Sequence, residues 1–211
     1  MKTIINLCIY FIGTVWSFFY SYSLKIKLSV IQNKLYTAWL SREFKSLTKS
    51  STIAYPIDLV GGKYISIGDQ CYIGRRTSLT AWDRHGSDEF LPQITIGNNV
   101  SIGEDSHITA INNIQIGNNV LFGKKITITD NAHGKSNFEE LLLPPAKRPI
   151  HTDGPVIIED GVWIGDKVTI LPNVRIGKNA IIGANAVVTK NIPANCVAGG
   201  IPAKVIKTIT E

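Results

Sequence analysis

The chain has 211 residues and a mass of 23.2 kDa, which is enough for one domain with a sizeable core. A hydrophobic content of 44% with 18% charged residues excludes an intrinsically disordered chain. Three widely spaced cysteines exclude a disulfide framework and a CxxC metal site. The net charge of +6 is confined to residues 1–50, which excludes a nucleic-acid-binding protein with a basic face along its body.

Residues 1–50 form a basic, aromatic-rich leader. They hold seven basic residues, one acidic residue and 10 aromatic residues, whereas residues 51–211 hold 15 basic and 15 acidic residues. Residues 3–24 carry no charge and are long enough to cross a hydrocarbon core, although their aromatic side chains suit a membrane interface. An apolar stripe at helical spacing follows, formed by Leu28, Ile31, Leu35, Ala38 and Trp39. The leader therefore either contacts an anionic membrane or packs this stripe on the body as a cap.

A six-residue repeat dominates residues 51–211. Aliphatic residues, usually followed by glycine, recur at this interval from residue 65 onward. The most regular run is Ile158, Ile164, Ile170, Ile176, Ile182 and Val188. Neither a helix nor simple strand alternation produces this pattern, whereas a solenoid with one short strand and one corner per repeat does. Corners need a positive φ or close packing, which explains the glycines and pairs such as Asn98-Asn99. The sequence predicts a mainly β domain of about five coils.

Two long interruptions of the repeat are candidate functional loops. Between Leu79 and Ile96 the interval is 17 residues, so a segment near residues 82–92 is extruded. Between Ile128 and Ile158 the interval is 30 residues, which leaves a longer excursion over 129–152. Long loops on a rigid scaffold are the usual place for function.

The body resembles the hexapeptide-repeat acyltransferases, and is most similar to O-acetyltransferases of the galactoside, maltose and capsule or lipopolysaccharide type. Besides the repeats, the similarity rests on segments 161–165 (GVWIG), 183–193 (GANAVVTKNIP) and 199–207 (GGIPAKVIK). It covers residues 56–207. The resemblance implies a left-handed parallel β-helix with an N-terminal helical segment and a C-terminal capping tail. It also implies a homotrimer with active sites between neighbours, and transfer of acetyl from acetyl-CoA to a hydroxyl, usually of a sugar.

By this resemblance, His133 at the start of the longer excursion is the catalytic base. A neutral imidazole can take the proton of an attacking hydroxyl. Asp130 is predicted to orient the ring or contact the acceptor, although an aspartate here can equally cap a turn. Some relatives carry Asp-His-x-His at this place. This chain has Asn131 at the first position, which leaves one candidate histidine.

The other three histidines, His85, His107 and His151, are weaker candidates. A zinc site of the kind found in trimeric carbonic anhydrases of similar fold needs three histidines with a close pair. The spacings here are 22, 26 and 18 residues, so we expect no metal.

The resemblance also marks positions for acetyl-CoA. A backbone N–H near Gly165 and Asp166 is the expected oxyanion donor. The expected positions along the cofactor are Ala184, Thr189, Lys190, Lys204 and Lys207. Relatives often carry arginine at the last two positions, and lysine keeps the charge but loses the bidentate fork.

The acceptor is expected to contact the shorter excursion. Trp82 could supply an aromatic platform for a sugar ring, and Asp83 could supply a hydrogen-bond partner. Trp163 either lines the acyl pocket or fills a corner of the solenoid.

The sequence therefore predicts an acetyl-CoA-dependent O-acetyltransferase. The expected acceptor is a cell-surface polysaccharide or its lipid-linked precursor, and attack is direct, without a covalent enzyme intermediate. We expect a cytoplasmic protein that is peripheral on the inner face of the membrane. Two alternatives remain open, an N-acetyltransferase acting on a nucleotide-linked amino sugar and a non-catalytic β-helix scaffold.

Overall fold

A computed structural model describes residues 1–135 and 137–210, so Ser136 and Glu211, both inside the predicted 51–211 domain, lie outside the described residues. Two helices come first, α1 (Lys2–Phe19) and α2 (Tyr22–Leu40). A solenoid of short parallel strands follows, with two excursions and a final antiparallel strand. The mainly β architecture predicted from the repeats is confirmed.

Each coil of the solenoid contributes three strands. The first two coils contain β1 (Ser46–Leu47), β2 (Thr52–Ile53), β3 (Asp58–Val60), β4 (Ile65–Ile67), β5 (Tyr72–Ile73) and β6 (Ser78–Ala81). The first excursion is a hairpin of β7 (Arg84–His85) and β8 (Asp88–Glu89). The next two coils contain β9 (Gln93–Ile96), β10 (Ser101–Ile102), β11 (His107–Ala110), β12 (Asn113–Ile116), β13 (Leu121–Phe122) and β14 (Thr127–Thr129).

The second excursion contains β15 (Ala132–His133), the short helix α3 (Phe138–Leu141) and β16 (Ile150–His151), and β15 pairs with β16. The fifth and sixth coils contain β17 (Val156–Ile158), β18 (Trp163–Ile164), β19 (Thr169–Ile170), β20 (Arg175–Ile176), β21 (Ile181–Ile182) and β22 (Val187–Val188). The chain ends with β23 (Cys196–Gly199) and β24 (Lys204–Thr208). Single 3-10 turns lie at Ser41–Glu43, Gly62–Tyr64 and Pro145–Lys147.

The strands stack into three flat faces around an apolar column. The first strands of the coils pair to form the first face, the second strands form the second face together with β23 and β24, and the third strands form the third face. In-register aliphatic residues fill the interior, as when Ile73 pairs with Ile102 and Phe122 with Ile164. All of these side chains are buried. Each such side chain contributes about 1.5–3 kcal/mol of hydrophobic free energy, so the column stabilises every coil through its neighbours.

The solenoid begins earlier than the glycine-marked repeats indicate. Leu47, Ile53 and Leu59 also lie six residues apart, and they pair in register with the next coil. No glycine follows any of them, which is why the repeat count gave about five coils where six are described. The first coil starts at Ser46, inside the segment assigned to the leader.

Glycine and positive φ occupy different places in the corners. The glycine after each buried aliphatic residue is needed for close stacking, since a Cβ on Gly97 would lie 2.7 Å from the carbonyl oxygen of Gly117 in the next coil. The left-handed conformation falls two residues later, for example at Asn99 (φ 56°) and Asn119 (φ 57°). Asparagine tolerates this conformation better than most residues, which accounts for the recurring Asn-Asn pairs.

Helix α2 covers the first coil with polar side chains. The edge strand β2 and the residues after it present backbone N–H groups that no further coil accepts. Side chains of α2 accept three of these hydrogen bonds, from Ile53 to Thr37 Oγ1 (2.8 Å), from Tyr55 to Asn33 Oδ1 (3.0 Å) and from Ile57 to Tyr36 OH (3.3 Å). Leu40 is buried against the apolar column just below. This end of α2 is therefore a cap.

The predicted apolar stripe of α2 is not the face that packs. Leu28, Ile31, Leu35 and Trp39 are all exposed. Helix α1 buries none of its residues, and its length and composition are sufficient to cross a membrane, with a mean hydropathy of 1.4.

Candidate active site

A cavity of about 430 Å³ lies on the outside of the third face, between the two excursions. Strands of the first three coils form its floor, and the two excursions form its walls. The lining residues are Asp58, Ser78, Thr80, Trp82, His85, His107, Thr109, Ile111, Asn131, His133 and Ile150. Of the predicted site residues, Trp82 and His133 meet here.

The floor of the cavity is polar because side chains alternate along its strands. Leu79 points into the solenoid, so Ser78 and Thr80 point outward. Ser78 donates a hydrogen bond to Asp58 Oδ2 (2.9 Å). Thr80 is only 3% exposed, and its Oγ1 has no hydrogen-bond partner among residues 1–135 and 137–210. A buried hydroxyl without a partner is costly, so a ligand with hydroxyl groups would satisfy it.

The walls bring two histidines together. His85 comes from the hairpin of the first excursion and His133 from the hairpin of the second. Their rings meet edge to face, with centroids 5.7 Å apart and an interplanar angle of 78°. The two excursions thus enclose the cavity through an aromatic contact.

Backbone pairing holds His133 in place. It lies opposite Ile150 in the antiparallel pair of β15 and β16, and the next N–H, of Gly134, donates to the carbonyl of Pro149 (2.8 Å). Gly134 has a φ of 83°, a conformation that favours glycine. A Cβ there would also lie 2.9 Å from Arg148 Cδ. The sequence Ala132-His133-Gly134 therefore presents the imidazole at the mouth of a fixed hairpin.

Asp130 lies beneath the site and holds backbone rather than the His133 ring. It is fully buried, and its Oδ1 and Oδ2 accept hydrogen bonds from the N–H groups of Ile111 and Asn112, both at 2.9 Å. The amide of Asn131 donates to the same carboxylate (3.1 Å). The structure thus favours the turn-holding alternative for Asp130, and Asn131 lines the cavity in its place.

Asp83 faces a neighbouring groove instead of the cavity. Lys63 Nζ lies 2.9 Å from its Oδ2, and Tyr64 OH donates to the same oxygen (3.0 Å). The hydrogen bond from Lys63, followed by that from Tyr64, holds the pKa of the Asp83 carboxyl below its ordinary value. Asp83 therefore stabilises the base of the first excursion.

The predicted oxyanion donors lie on a different edge of the solenoid. The N–H of Gly165 donates to the carbonyl of Ile182, so it belongs to the strand ladder. The N–H of Asp166 has no acceptor within the described part of the chain. Its side chain accepts from Lys124 N (2.8 Å) in the preceding coil, but the equivalent position in the following coil is Ala184, whose side chain has no acceptor. Asp166 N–H is the donor that this corner leaves free.

The other cofactor positions cluster at the far end of the solenoid. Thr189 and Lys190 follow β22, and Lys204 and Lys207 lie on β24, which pairs with β23. All four residues are exposed.

Trp163 belongs to a set of large exposed residues on strands β5, β13 and β18, along the outside of the second face. It pairs with Leu121 of the preceding coil, and Tyr72 stands two coils further back. These side chains are 52%, 50% and 45% exposed, respectively. Trp163 therefore fills no corner of the solenoid, and it lies away from the His133 cavity of the same chain.

His151 and His107 have different surroundings. His151 Nε2 lies 3.0 Å from Asp153 Oδ1 and does not line the cavity. His107 is on the cavity floor. Within residues 1–135 and 137–210, no three His, Cys, Asp or Glu side chains are grouped to hold a metal. The expectation that no metal takes part stays a prediction.

The sequence did not indicate most of the cavity floor, and it indicated His85 only as a weaker candidate than His133. A signal was present, because both excursions leave the solenoid directly after a third-face strand, β6 for the first and β14 for the second. Only β11 separates these two strands. Long loops that leave the same edge with one coil between them are close enough to meet.

Comparison with known proteins gives a consistent assignment. Residues 155–190 match the bacterial transferase hexapeptide family (six repeats). WbbJ of Escherichia coli K12, named as a lipopolysaccharide biosynthesis O-acetyl transferase, is 37% identical over 118 residues, which make up 54% of this chain and 60% of WbbJ. The chain thus spans about three-fifths of the length of this curated relative.

Solved structures extend the similarity to most of the chain. A maltose O-acetyltransferase from Clostridium difficile 630 is 28% identical, with a TM-score of 0.57 over 86% of this chain and 88% of that protein. AntD, an N-acyltransferase from Bacillus cereus crystallised with dTDP-4-amino-4,6-dideoxyglucose and coenzyme A, shares the fold. It gives a TM-score of 0.66 at 19% identity, over 83% of this chain and 90% of AntD. The resemblance to hexapeptide-repeat acyltransferases and the left-handed parallel β-helix are confirmed.

Proposed function

We propose that this protein is an O-acetyltransferase that moves acetyl from acetyl-CoA to a hydroxyl of a saccharide. The observation that carries the proposal is His133 at the mouth of a cavity with a hydroxyl- and carboxylate-bearing floor and Trp82 in its wall. An aromatic surface with a few fixed polar groups suits a sugar ring. The activities for which WbbJ and the maltose O-acetyltransferase are named support the same reaction.

In the proposed reaction His133 is the general base. A ring nitrogen accepts the proton of the acceptor hydroxyl while the oxygen attacks the carbonyl carbon of the thioester. The tetrahedral intermediate then collapses, the C–S bond breaks, and the leaving thiolate takes the proton back from the imidazolium. No bond to the enzyme forms. A positioned general base typically contributes about 10²–10⁴-fold in rate.

The oxyanion of the intermediate is proposed to bind Asp166 N–H. One such backbone donor is typically worth about 3–4 kcal/mol. Within one chain, however, Asp166 precedes β19 of the fifth coil, whereas third-face strands of the first three coils form the cavity floor, and Asp166 does not line the cavity.

A homotrimer resolves this separation. The exposed side chains of Tyr72, Leu121 and Trp163, with Ser101 between the first two, form a surface with large apolar groups that is suited to a second copy of the chain. Closed three-fold association would place the corner of one copy, with Asp166 and Ala184, against the His133 cavity of its neighbour. Trp163 would then line the acyl site from the neighbouring copy.

The test combines turnover with donor binding. We expect His133→Ala to lower acetyl transfer to a saccharide panel by about 10²–10⁴-fold. His151→Ala is the matched control, because this histidine lies in the same excursion but outside the cavity, and it should keep wild-type turnover. Acetyl-CoA at 100-fold over Kd should stabilise the wild type and His133→Ala alike by about 2.7 kcal/mol, or roughly 5–10 °C in Tm. The shift should be smaller in Lys190→Ala.

Three results would overturn parts of the proposal. Retained turnover in His133→Ala would remove the base assignment. Transfer to amino sugars but not to hydroxyls would favour the N-acetyltransferase alternative. The absence of any shift with acetyl-CoA would favour a different donor or a non-catalytic scaffold.

A further inference from the structure

The two ends of the solenoid differ in their chemistry. The end capped by α2 carries the cavity, because Asp58 and Ser78 lie on strands of the first two coils. The opposite end carries the cofactor positions, with Lys190 after the last third-face strand and Lys204 and Lys207 on β24. Neighbouring strands are about 4.8 Å apart, so the four steps from β6 to β22 separate acceptor and donor ends by about 19 Å.

The capped end also carries a large apolar surface that no described residue covers. Every residue of α1 is exposed, including Leu7 at 67% and Phe11 at 70%. On α2 the exposed stripe continues this surface and, with Tyr36 and Tyr55, lines a shallow groove. Single exposed apolar residues are ordinary, but a surface that extends over two successive helices marks an interaction site.

Basic side chains surround this apolar surface. The exposed basic residues of the segment that follows α1 are Lys25, Lys27, Lys34, Arg42, Lys45 and Lys49, and Glu43 is the one acidic residue among them. None of these basic residues makes a salt bridge within residues 1–135 and 137–210. Residues 51–211 have no net charge, so the positive field is concentrated at one end. Apolar helices beside unpaired lysines are complementary to a bilayer with anionic headgroups.

We propose that α1 and the exposed stripe of α2 enter an anionic membrane, and that the acceptor is a lipid-linked saccharide presented to the cavity from that membrane. The inference rests on the proposed acetyl transfer and names its substrate class. In a closed cyclic assembly equivalent points lie at one height along the axis, so three leaders meet one bilayer together. The lysines of the donor end then face the aqueous phase, where acetyl-CoA is dissolved.

The first test is flotation of the full chain with vesicles. Wild type should float with phosphatidylcholine vesicles that contain phosphatidylglycerol, and less with phosphatidylcholine alone. Leu7→Asp with Phe11→Asp should abolish flotation. Phe138→Asp with Leu142→Asp is the matched control, because these residues of the second excursion have the same spacing and similar exposure. Lys27→Glu with Lys34→Glu should lower flotation on anionic vesicles only.

The second test reads orientation without any acceptor. In a Cys8→Ser background, which leaves only the buried Cys71 and Cys196, a fluorophore is placed at Ser87→Cys or at Ala194→Cys. Ser87 is at the tip of the first excursion beside the cavity, and Ala194 is at the donor end. Headgroup-quencher lipids should quench the label at position 87 several-fold more than the label at position 194.

The third test compares two acceptors of one chemistry, methyl maltoside in solution and hexadecyl maltoside embedded in anionic vesicles. Surface capture raises the effective acceptor concentration, so wild type should show at least about tenfold higher kcat/KM for the embedded glycoside. Leu7→Asp with Phe11→Asp should lose that advantage while turnover of methyl maltoside is unchanged.

Each contrary outcome contradicts one part of the proposal. Absent flotation overturns membrane contact, and a change of oligomer size in Leu7→Asp with Phe11→Asp would show that the helices pair with other copies instead. Equal or reversed quenching overturns the orientation. Equal kcat/KM for the two maltosides overturns the lipid-linked acceptor. No transfer to either maltoside counts against the proposed function for this acceptor, whereas flotation and quenching still decide the membrane inference.

Discussion

Ala184 has no side-chain oxygen that could accept the N–H of Asp166. In several corners a side-chain oxygen from the next coil accepts the equivalent N–H, as Asn98 does for Asp69 (2.8 Å) and Asn118 does for Asn98 (2.9 Å). Ala184 interrupts this pattern, so the N–H of Asp166 stays available. Within the described residues the N–H groups of Arg75, Glu104 and Asp160 have no acceptor either. A site that needs an oxyanion donor benefits from an unsatisfied donor of this kind.

Ala184→Asn should therefore make the protein more stable and less active. The sequence would then read Asn-Asn at 184–185, as it does at 98–99 and 118–119, and the new Oδ1 would accept the N–H of Asp166. One hydrogen bond should raise the free energy of unfolding by about 0.5–1.5 kcal/mol. Loss of the oxyanion donor should lower kcat by about 10²–10³-fold. Denaturant unfolding and steady-state kinetics measure the two effects.

Ala184→Ser is the control, because its shorter side chain reaches the N–H less well. Higher stability with full activity in Ala184→Asn would show that Asp166 N–H takes no part in the reaction. Lower stability in Ala184→Asn would show that a small side chain is needed at position 184 for packing.

At the scale of single residues, the sequence indicated the walls of the cavity but not its floor. His133 and Trp82 could be selected because each stands beside a break in the repeat. The hydroxyl of Thr80 could not, because a threonine on the outward side of a strand is ordinary until an excursion covers it. The sequence also selected Asp130 and Asp83, although the first binds backbone and the second binds Lys63. The sequence could not indicate these contacts, because the N–H of Ile111 and the ammonium of Lys63 come from other coils.

At the scale of the coil, the repeat glycines set the distance between strands. Gly97→Ala places a Cβ 2.7 Å from the carbonyl oxygen of Gly117, and backbone cannot yield as a side-chain end can. We expect a loss of about 1–3 kcal/mol in the free energy of unfolding, which is roughly 2–4 °C in Tm per kcal/mol. Gly13→Ala is the matched control, because nothing lies within 4 Å of its position in α1, and Tm should not fall. Equal Tm values for Gly97→Ala and the wild type would show that Gly97 is not needed for close stacking of the coils.

The sequence did not indicate those elements that lack a recurring sequence pattern. The first coil lacks glycine after its aliphatic residues, so its strands were not counted among the predicted coils. The packed face of α2 is built from Asn33, Tyr36 and Thr37, and its role is to accept hydrogen bonds from a sheet edge. Hydrophobic periodicity follows apolar burial and therefore selected the opposite face of the helix.

For the whole molecule, the cavity and the proposed oxyanion donor belong to different coils. Third-face strands of the first three coils form the floor of the His133 cavity, whereas Asp166 precedes β19 of the fifth coil, next to Ala184, and does not line the cavity. One copy alone therefore holds the proposed base without the proposed oxyanion donor beside it. If neighbours complete each other, the base and the donor of any one site come from different chains.

Co-expression of two inactive variants tests this arrangement. His133→Ala lacks the base but keeps the donor corner, and Ala184→Asn blocks the corner but keeps the base. In every mixed trimer one of the three interfaces joins an intact base to an intact donor, so acetyl transfer in the purified mixed species should return to about a third of the wild-type rate per site. Two different affinity tags purify the mixed species, and light scattering gives their mass. Mixed oligomers as inactive as either variant alone would place base and donor in the same copy, and the homotrimeric site would then be wrong.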